Sequence, residues 1–286
     1  MNILVTGGLG FIGSFLVERL AQLRHTVDVV DDLSTGSEKW KVESDLVDYH
    51  IMDVADYCEQ YRGQYDVIFH LANNARISMS FDFPKETLLN NYRSTVSILE
   101  YIRKHNKDCK LYFASSSTTE FTDKFNNPYT FSKFTCDDLL ELYRYHYDLN
   151  YSIVKFYNVY GSSREKDLGE YTTIIRKFKI MVKKDLPLPV YGPDRRRDFT
   201  HIYDTVEALV HILGRNDSQQ VYHIGTGKNY SIQEIAEAFD HPIYYELDKR
   251  KYELHTTLSK PNIAGWSAKQ NVIEHIKEWK VKNAIS

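Results

Sequence analysis

The sequence predicts an α/β protein: a doubly wound parallel sheet with a smaller C-terminal α/β lobe. Three observations predict it. Short apolar, β-prone runs alternate with segments whose apolar residues recur at helical spacing over roughly the first 160 residues. Glycines separate the first of these runs from the first helical segment. After about residue 160 the character changes, and the stretch KDLPLPVYGPDRRRDF is rich in proline and charge.

Taken in order, NILVT at residues 2–6 is a strand, and FIGSFLVERLAQL after the glycines is a helix. Further strands are predicted at 26–32 (TVDVVDD), 65–72 (YDVIFHLA), 110–116 (KLYFASS) and 152–161 (SIVKFYNVYG), with long helices between them at 85–105 and 129–147. Near-continuous apolar strands alternating with helices are the pattern of a parallel sheet covered on both faces. The proline-rich stretch reads as loop with short strands. Residues 200–213 (THIYDTVEALVHIL) read as a helix returning to the first domain, and 231–239 as a short helix opened by Ser231 as N-cap. The expected division is therefore a first domain of residues 1–157, with 200–225 returning to it, and a lobe made of 158–199 and 226–286.

Composition narrows the function classes. The chain has 286 residues, 42% hydrophobic and 26% charged, and no apolar run approaches the roughly 18 residues that span a bilayer. The first residues, MNILVTGGLG, lack the basic start and long apolar stretch of a secretory signal, so a cytoplasmic protein without a membrane segment is expected. Cys58, Cys109 and Cys136 have no CxxC spacing and read as reduced thiols, and no metal site is called for. The net charge of −3 gives no sign of a polyanion partner, and Arg195, Arg196 and Arg197 are too few for a nucleic-acid surface. A small anionic ligand suits them better. The 22 tyrosines assign no function by themselves.

Gly7, Gly10 and Gly13 let the backbone turn sharply between strand and helix, approach a pyrophosphate, and aim helix N-terminal N–H groups at it. The second strand ends at Asp31, about 20 residues on, where a carboxylate accepts hydrogen bonds from an adenosine ribose. It would repel a 2′-phosphate. The pair predicts a Rossmann-type domain that prefers NAD to NADP.

Tyr129 and Lys133 are four apart at the start of a helix and so share one face. A free phenol has a pKa of about 10 and becomes a useful base only when a nearby cation stabilises its phenolate. Lys133 and a bound nicotinamide supply such charge. A hydroxyl from Ser115, Ser116, Ser117 or Thr118, at the end of the preceding strand, can orient a substrate alcohol.

These motifs occur in an order that resembles the extended short-chain dehydrogenase/reductases, the NAD-dependent epimerase/dehydratase group acting on nucleotide sugars. The resemblance runs through VTGGLGFIG, VVDDLSTG, HIMDVAD, HLA, FASSS, PYTFSK, KFYNVYG, VYGPDRRRDFTHIYD and VYHIGTGKNYSIQEIAEAF, nearly the whole chain. It implies that Gly7, Gly10, Phe11, Ile12 and Gly13 line the pyrophosphate, that Asp31, Leu33, Ser34, Thr35 and Gly36 hold the adenosine ribose, and that Asp53 and Val54 meet the adenine. Leu71, Ala72 and Asn91 would flank the nicotinamide, with Tyr129 and Lys133 on its ribose. In the lobe, which the resemblance makes substrate-binding, Asn158, Arg197 and Arg250 would grip the diphosphate, a task that suits an arginine fork.

The chain departs from the family in two places. The segment from Ser116 to Tyr129 is shorter than usual, and the catalytic hydroxyl falls on Ser116 when counted from the strand but on Ser117 when counted back from Phe121. Ser116 is the preferred reading. Where dehydratases carry an Asp–Glu pair after this hydroxyl, Ser117 and Thr118 follow here, which favours an epimerase at C4 working through a 4-keto sugar. A 4,6-dehydratase or a uronic acid decarboxylase is the alternative, because with Thr118 as the hydroxyl the run STTEF would place Glu120 as an acid. A catalytically silent NAD-binding protein is the less favoured reading, set against an intact Tyr129 and Lys133. The position gating 2-N-acetyl groups falls between Leu254 and Thr257. The resemblance also implies a homodimer through helices 85–105 and 129–147, whose Val96, Leu99, Leu139, Leu140 and Leu142 exceed one sheet-facing stripe.

Overall fold

The computed structural model describes residues 1–165, 167–215, 217–247 and 254–283. The chain opens with β1 (Asn2–Thr6), α1 (Phe11–Gln22), β2 (Thr26–Asp31), β3 (Val47–Ile51), α2 (Val54–Gln60) and β4 (Val67–His70). It continues with α3 (Ile77–Asp82), α4 (Pro84–His105), β5 (Lys110–Ser116), α5 (Thr118–Phe121), α6 (Pro128–Tyr147) and β6 (Tyr151–Phe156). Next come β7 (Val159–Tyr160), α7 (Ile174–Lys183), β8 (Leu188–Tyr191), β9 (Arg196–Arg197), β10 (Thr200–His201) and α8 (Ile202–Ile212). Last are β11 (Gln220–Ile224), β12 (Tyr230–Ser231), α9 (Ile232–Glu237), β13 (Ile243–Glu246) and α10 (Val272–Lys282). Two compact units result: Met1–Lys155 with Leu209–Tyr222, and Phe156–Ala208 with the chain from His223 onward.

The first unit holds a seven-stranded sheet in the order β11-β6-β5-β4-β1-β2-β3. β1 pairs in parallel with β2 and β4, β2 with β3, and β4 with β5. The strand order reverses at β1, so the crevice beyond the carboxyl ends of β1 and β4 is where a doubly wound sheet offers a ligand site. Ile3, Leu4 and Val5 are wholly buried, which is why β1 reads as an unbroken apolar run. One core joins Leu4, Ile68, Leu111 and Phe113 of the sheet to Ile98, Ile102, Cys136 and Leu140 of α4 and α6. Each such side chain contributes about 1.5–3 kcal/mol of burial free energy. α6 starts where Asn127 accepts a hydrogen bond from Thr130 N at 2.8 Å and Pro128 occupies the first turn, and it ends at Asp148, a left-handed residue with φ of 56°. Leu99 and Leu140, expected as surplus surface apolar residues, lie in the core, whereas Leu142 is exposed.

In the second unit, β8 and β13 pair in parallel, β9 and β12 antiparallel, and β7 and β10 in parallel. Phe178, Leu188, Val190, Ile235, Phe239 and Ile276 form its core. The strand expected over 152–161 is interrupted, because Asn158 takes a φ of 33°, a conformation a ladder excludes and an asparagine tolerates. α9 opens with Ser231 as expected, and Glu234 completes a capping box with it. Among the described residues no helix is long and apolar enough to cross a membrane.

Candidate active site

The glycine turn sits at the switch point. Gly7 has a φ of 70°, and a Cβ there would come within 2.8 Å of Ala72 N, so the turn after β1 lies against the segment leaving β4. His70, fully buried at the end of β4, bonds Thr6 Oγ1 at 2.7 Å and ties the two strand ends together. Burial, with Lys133 nearby, holds this imidazole down at about 3. A Cβ on Gly13 would stand 2.1 Å from Gly7 O, so only glycine lets α1 start this close to the turn. Gly10 is the N-cap of α1 and brings no side-chain oxygen, which leaves the first N–H groups of Phe11, Ile12 and Gly13 without a side-chain cap. That is the cradle a pyrophosphate needs.

Asp31 ends β2 with its carboxylate inside the same turn. Oδ2 accepts from Leu9 N and Oδ1 from Leu33 N, both at 2.9 Å. An ionised carboxylate has about four acceptor positions, so room remains for ribose hydroxyls. Burial raises Asp31, and the two backbone N–H bonds oppose that rise. Gly36 closes over it, since a Cβ there would meet Asp31 Oδ1 at 2.6 Å. Leu33 adopts a φ of 62°, and Ser34 N donates to Asp32 Oδ1, so residues 33–36, including Thr35, fold back beside the acid. The residues present therefore fit a dinucleotide. Asp53 caps α2 by accepting from Ala55 N at 2.7 Å, and Val54 is buried in the core. Leu71 and Ala72 follow β4 directly. Asn91 is fully buried: its Oδ1 accepts from Asn74 N while Nδ2 donates to Asn74 O and Ser132 Oγ. Its amide shapes the wall.

At the carboxyl end of β5 the structure brings Ser116, Tyr129 and Lys133 together. The Ser116 side chain lies beside the Tyr129 phenol and favours its phenolate. Ser116 Oγ accepts from Thr118 N at 3.2 Å and from Thr118 Oγ1 at 3.0 Å, leaving its own proton to donate. Ser117 precedes α5, and its side chain makes no capping bond. Lys133 is buried, donates to Ala114 O at 2.6 Å, and lies 6.0 Å from the centre of the Tyr129 ring. Burial raises the Tyr129 phenol, opposed by the Ser116 side chain and by Arg76, and the same burial draws Lys133 down to about 8. Glu120 turns the other way, into an ion pair with the buried ammonium of Lys155.

The second unit assembles its own group. Asn158 Nδ2 donates to Asp198 O at 2.8 Å. Arg197 is half-buried, with Nη1 donating to Arg196 O at 2.9 Å. Between them in effect stands Asp198, a residue to which the sequence assigned no role. It has no exposure, and its carboxylate accepts from Thr226 N, Thr226 Oγ1, Gly227 N, Ser259 N and Ser259 Oγ. Asp198 thus fastens the HIGTGK loop to the backbone that carries Arg197. Its place in RDF was the only signal available. Thr257 is buried, with its hydroxyl accepting from Asp198 N at 3.4 Å, and Leu254 is half-buried. Arg250 lies outside the described residues.

A doubly wound sheet with this turn and this acid defines a dinucleotide-binding α/β protein. Comparison with known proteins narrows the class. The chain matches the NAD dependent epimerase/dehydratase family over residues 3–225, and it belongs to that family. NAD is accordingly its cofactor. A putative UDP-glucose 4-epimerase of Methanocaldococcus jannaschii is 29% identical over 297 residues, covering 96% of each chain. A UDP-N-acetyl-alpha-D-glucosaminuronate decarboxylase of Bacillus cytotoxicus is 31% identical over 254 residues, covering 82% of this chain and 78% of the relative. Among solved structures, the UDP-glucose 4-epimerase of Thermus thermophilus in complex with NAD superposes with a TM-score of 0.84 at 25% identity, covering 97% of both chains.

Proposed function

We propose that the chain is an NAD-dependent nucleotide-sugar epimerase that inverts C4 of the sugar. The observation that carries this reading is the gathering of the Ser116 hydroxyl, the Tyr129 phenol and the buried Lys133 ammonium, 6.0 Å from the Tyr129 ring centre, at the carboxyl end of β5. Tyr129 takes the proton of the sugar 4-hydroxyl, Ser116 orients that hydroxyl, and Lys133 stabilises the phenolate. NAD, when bound, supplies the acceptor and then the donor of the C4 hydride, so that oxidation to a 4-keto sugar and return on the opposite face give the epimer with no net redox change. Gly7, Gly10, Phe11, Ile12 and Gly13 hold its pyrophosphate, Asp31 and residues 33–36 its adenosine ribose, and Asp53 and Val54 its adenine. Asn158, Arg197 and Arg250 grip the substrate diphosphate.

The decarboxylase relative keeps a second reading in view. That reading needs an acidic side chain free beside the catalytic hydroxyl. Glu120 is the candidate, and it is held by Lys155, while the Thr118 hydroxyl is buried between Ser116 and Thr130. Epimerisation needs neither group. UDP-hexoses are the first substrates to try, because the named relatives act on UDP-sugars. Product analysis by NMR is expected to find the C4 epimer without loss of water. A 4-keto-6-deoxy sugar from the hexose, or carbon dioxide released from a UDP-hexuronic acid supplied in a parallel assay, would overturn the reading.

The working form is a homodimer. Leu89 and Tyr92 on α4, with Leu142 and Tyr145 on α6, are exposed on helices whose other faces are buried. Light scattering at micromolar concentration is expected to give twice the chain mass, and Leu142→Asp to give a monomer. A monomeric wild type rules the dimer out.

A further inference from the structure

Next to Tyr129 and Lys133 the first unit holds a half-buried carboxylate that the reaction scheme does not use. Asp137 lies one turn beyond Lys133 on α6, so both side chains leave the same face of the helix. Its Oδ2 accepts from the Ser115 hydroxyl at 2.9 Å. Its Oδ1 is out of reach of solvent and has no hydrogen-bond partner among the described residues. A cation that could satisfy it is close by: Lys155, buried on β6, whose ammonium is instead taken by Glu120 of α5. An unmade bond at a buried charge destabilises the fold by about 1–3 kcal/mol or more, so its retention asks for a reason.

The groups facing Asp137 supply one. From its own helix these are Tyr129, Lys133, Cys136 and Asp138; from β5, Ser115; from β6, Tyr151 and Lys155. Burial draws Lys133 down to about 8, resisted first by Cys136 and then by Asp137. The neighbouring Cys136 thiol is itself pushed up by burial, opposed by Lys133. Burial pushes Asp137 itself up to about 6, against the Ser115 bond and the two lysines. Along the helix Lys133 is about 6 Å from Asp137 and Tyr129 about 12 Å. The Asp137 charge favours the Lys133 ammonium and opposes the Tyr129 phenolate.

We propose that Asp137 is a positioning residue that holds the shared proton of the Tyr129–Lys133 pair on Lys133, and that Glu120 serves this role by keeping Lys155 from neutralising Asp137. The proposal rests on the reading of Tyr129 and Lys133 as the proton-transfer pair of an epimerase. Two measurements test it on the full chain. In protein labelled with 13C at aspartate carboxyls, the Asp137 signal is identified by its loss in Asp137→Asn, or by its displacement in Ser115→Ala should the first variant misfold. Its midpoint is expected near 6 in the wild type. Glu120→Gln, which frees Lys155, is expected to lower that midpoint by at least about 1 pH unit, and Ser115→Ala to raise it. A midpoint in the ordinary carboxylate range, or one that Glu120→Gln leaves unmoved, overturns the arrangement.

In turnover, Asp137→Asn is expected to lower kcat at least about tenfold with KM little changed, the equivalent of one pH unit in proton affinity. Asp137→Glu should recover most of the loss, and Glu120→Gln should lower kcat less, in the same direction. An unchanged kcat in folded Asp137→Asn overturns the role, as does a loss that Asp137→Glu does not recover. If the wild type turns over no nucleotide sugar, the epimerase reading fails. The carboxyl titration still decides the Asp137, Lys155 and Glu120 arrangement by itself.

Discussion

Tyr129 is a base only by virtue of its neighbours. Burial makes its phenol a weaker acid, so what lowers the cost of the phenolate is the Ser116 side chain and nearby positive charge. Tyr129→Phe deletes the proton acceptor and almost no volume. It is expected to reduce kcat by about 10²–10⁴ while NAD still binds, as measured by calorimetry. Retention of most activity would mean that the base lies elsewhere. Ser116 and Ser117 separate in the same way: Ser116→Ala is expected to lower kcat about a hundredfold and Ser117→Ala to leave it near wild type, because the Ser116 side chain favours the Tyr129 phenolate. Asp31→Ala removes a charged acceptor from the ribose and is expected to weaken NAD by about 1.5–3 kcal/mol in the same calorimeter. Equal affinity of the wild type for NADP would contradict that account.

At the scale of elements, the turn between β1 and α1 sets the tightest geometric demand. A methyl at position 13 would lie 2.1 Å from the backbone oxygen of Gly7, whereas one at position 10 would lie 3.1 Å from the same atom. Gly13→Ala must push α1 off the turn, so it is expected to weaken NAD at least about tenfold more than Gly10→Ala does, read by a fluorescence titration of each variant. Comparable affinities would mean that the turn yields. These glycines, Asp31 and the parallel strands were legible in the sequence, because glycine spacing and unbroken apolar runs such as Ile3, Leu4 and Val5 report local geometry. What was not legible involves partners distant in sequence. Glu120 and Lys155 are 35 residues apart and Asp198 and Ser259 are 61 apart, and no periodicity joins them. The break at Asn158 was missed for a different reason: its neighbours are all β-prone, and one left-handed residue leaves no mark on an apolar pattern.

Stability of the whole molecule should depend on pH through histidines that folding keeps neutral. Burial holds His70 at about 3, helped by Lys133, and His201 at about 4, helped by Lys179 and opposed by Asp204. Burial, with Lys179 and His201, holds His275 at about 3, and its effect is smaller because the ring is only half-buried. An unfolded histidine takes a proton near 6.5, so each contributes stability that is fully present above that pH. As pH falls, the unfolded chain binds protons that the folded chain refuses, and stability is lost until the folded values near 3 to 4 are passed. Asp137 acts in the opposite sense, since its folded carboxyl, raised to about 6, takes a proton before an unfolded aspartate does. Two deeply buried rings and one partly buried one outweigh it. Between pH 6 and 4.5 the net slope is expected to be about 1–2 kcal/mol per pH unit, at about 1.4 kcal/mol per proton. Urea unfolding at pH 7.5, 6.5, 5.5 and 4.5 measures it, and His70→Gln, which removes one titrating ring, should flatten the curve. A stability that stays level down to pH 4.5 would show that these rings accept protons in the folded chain.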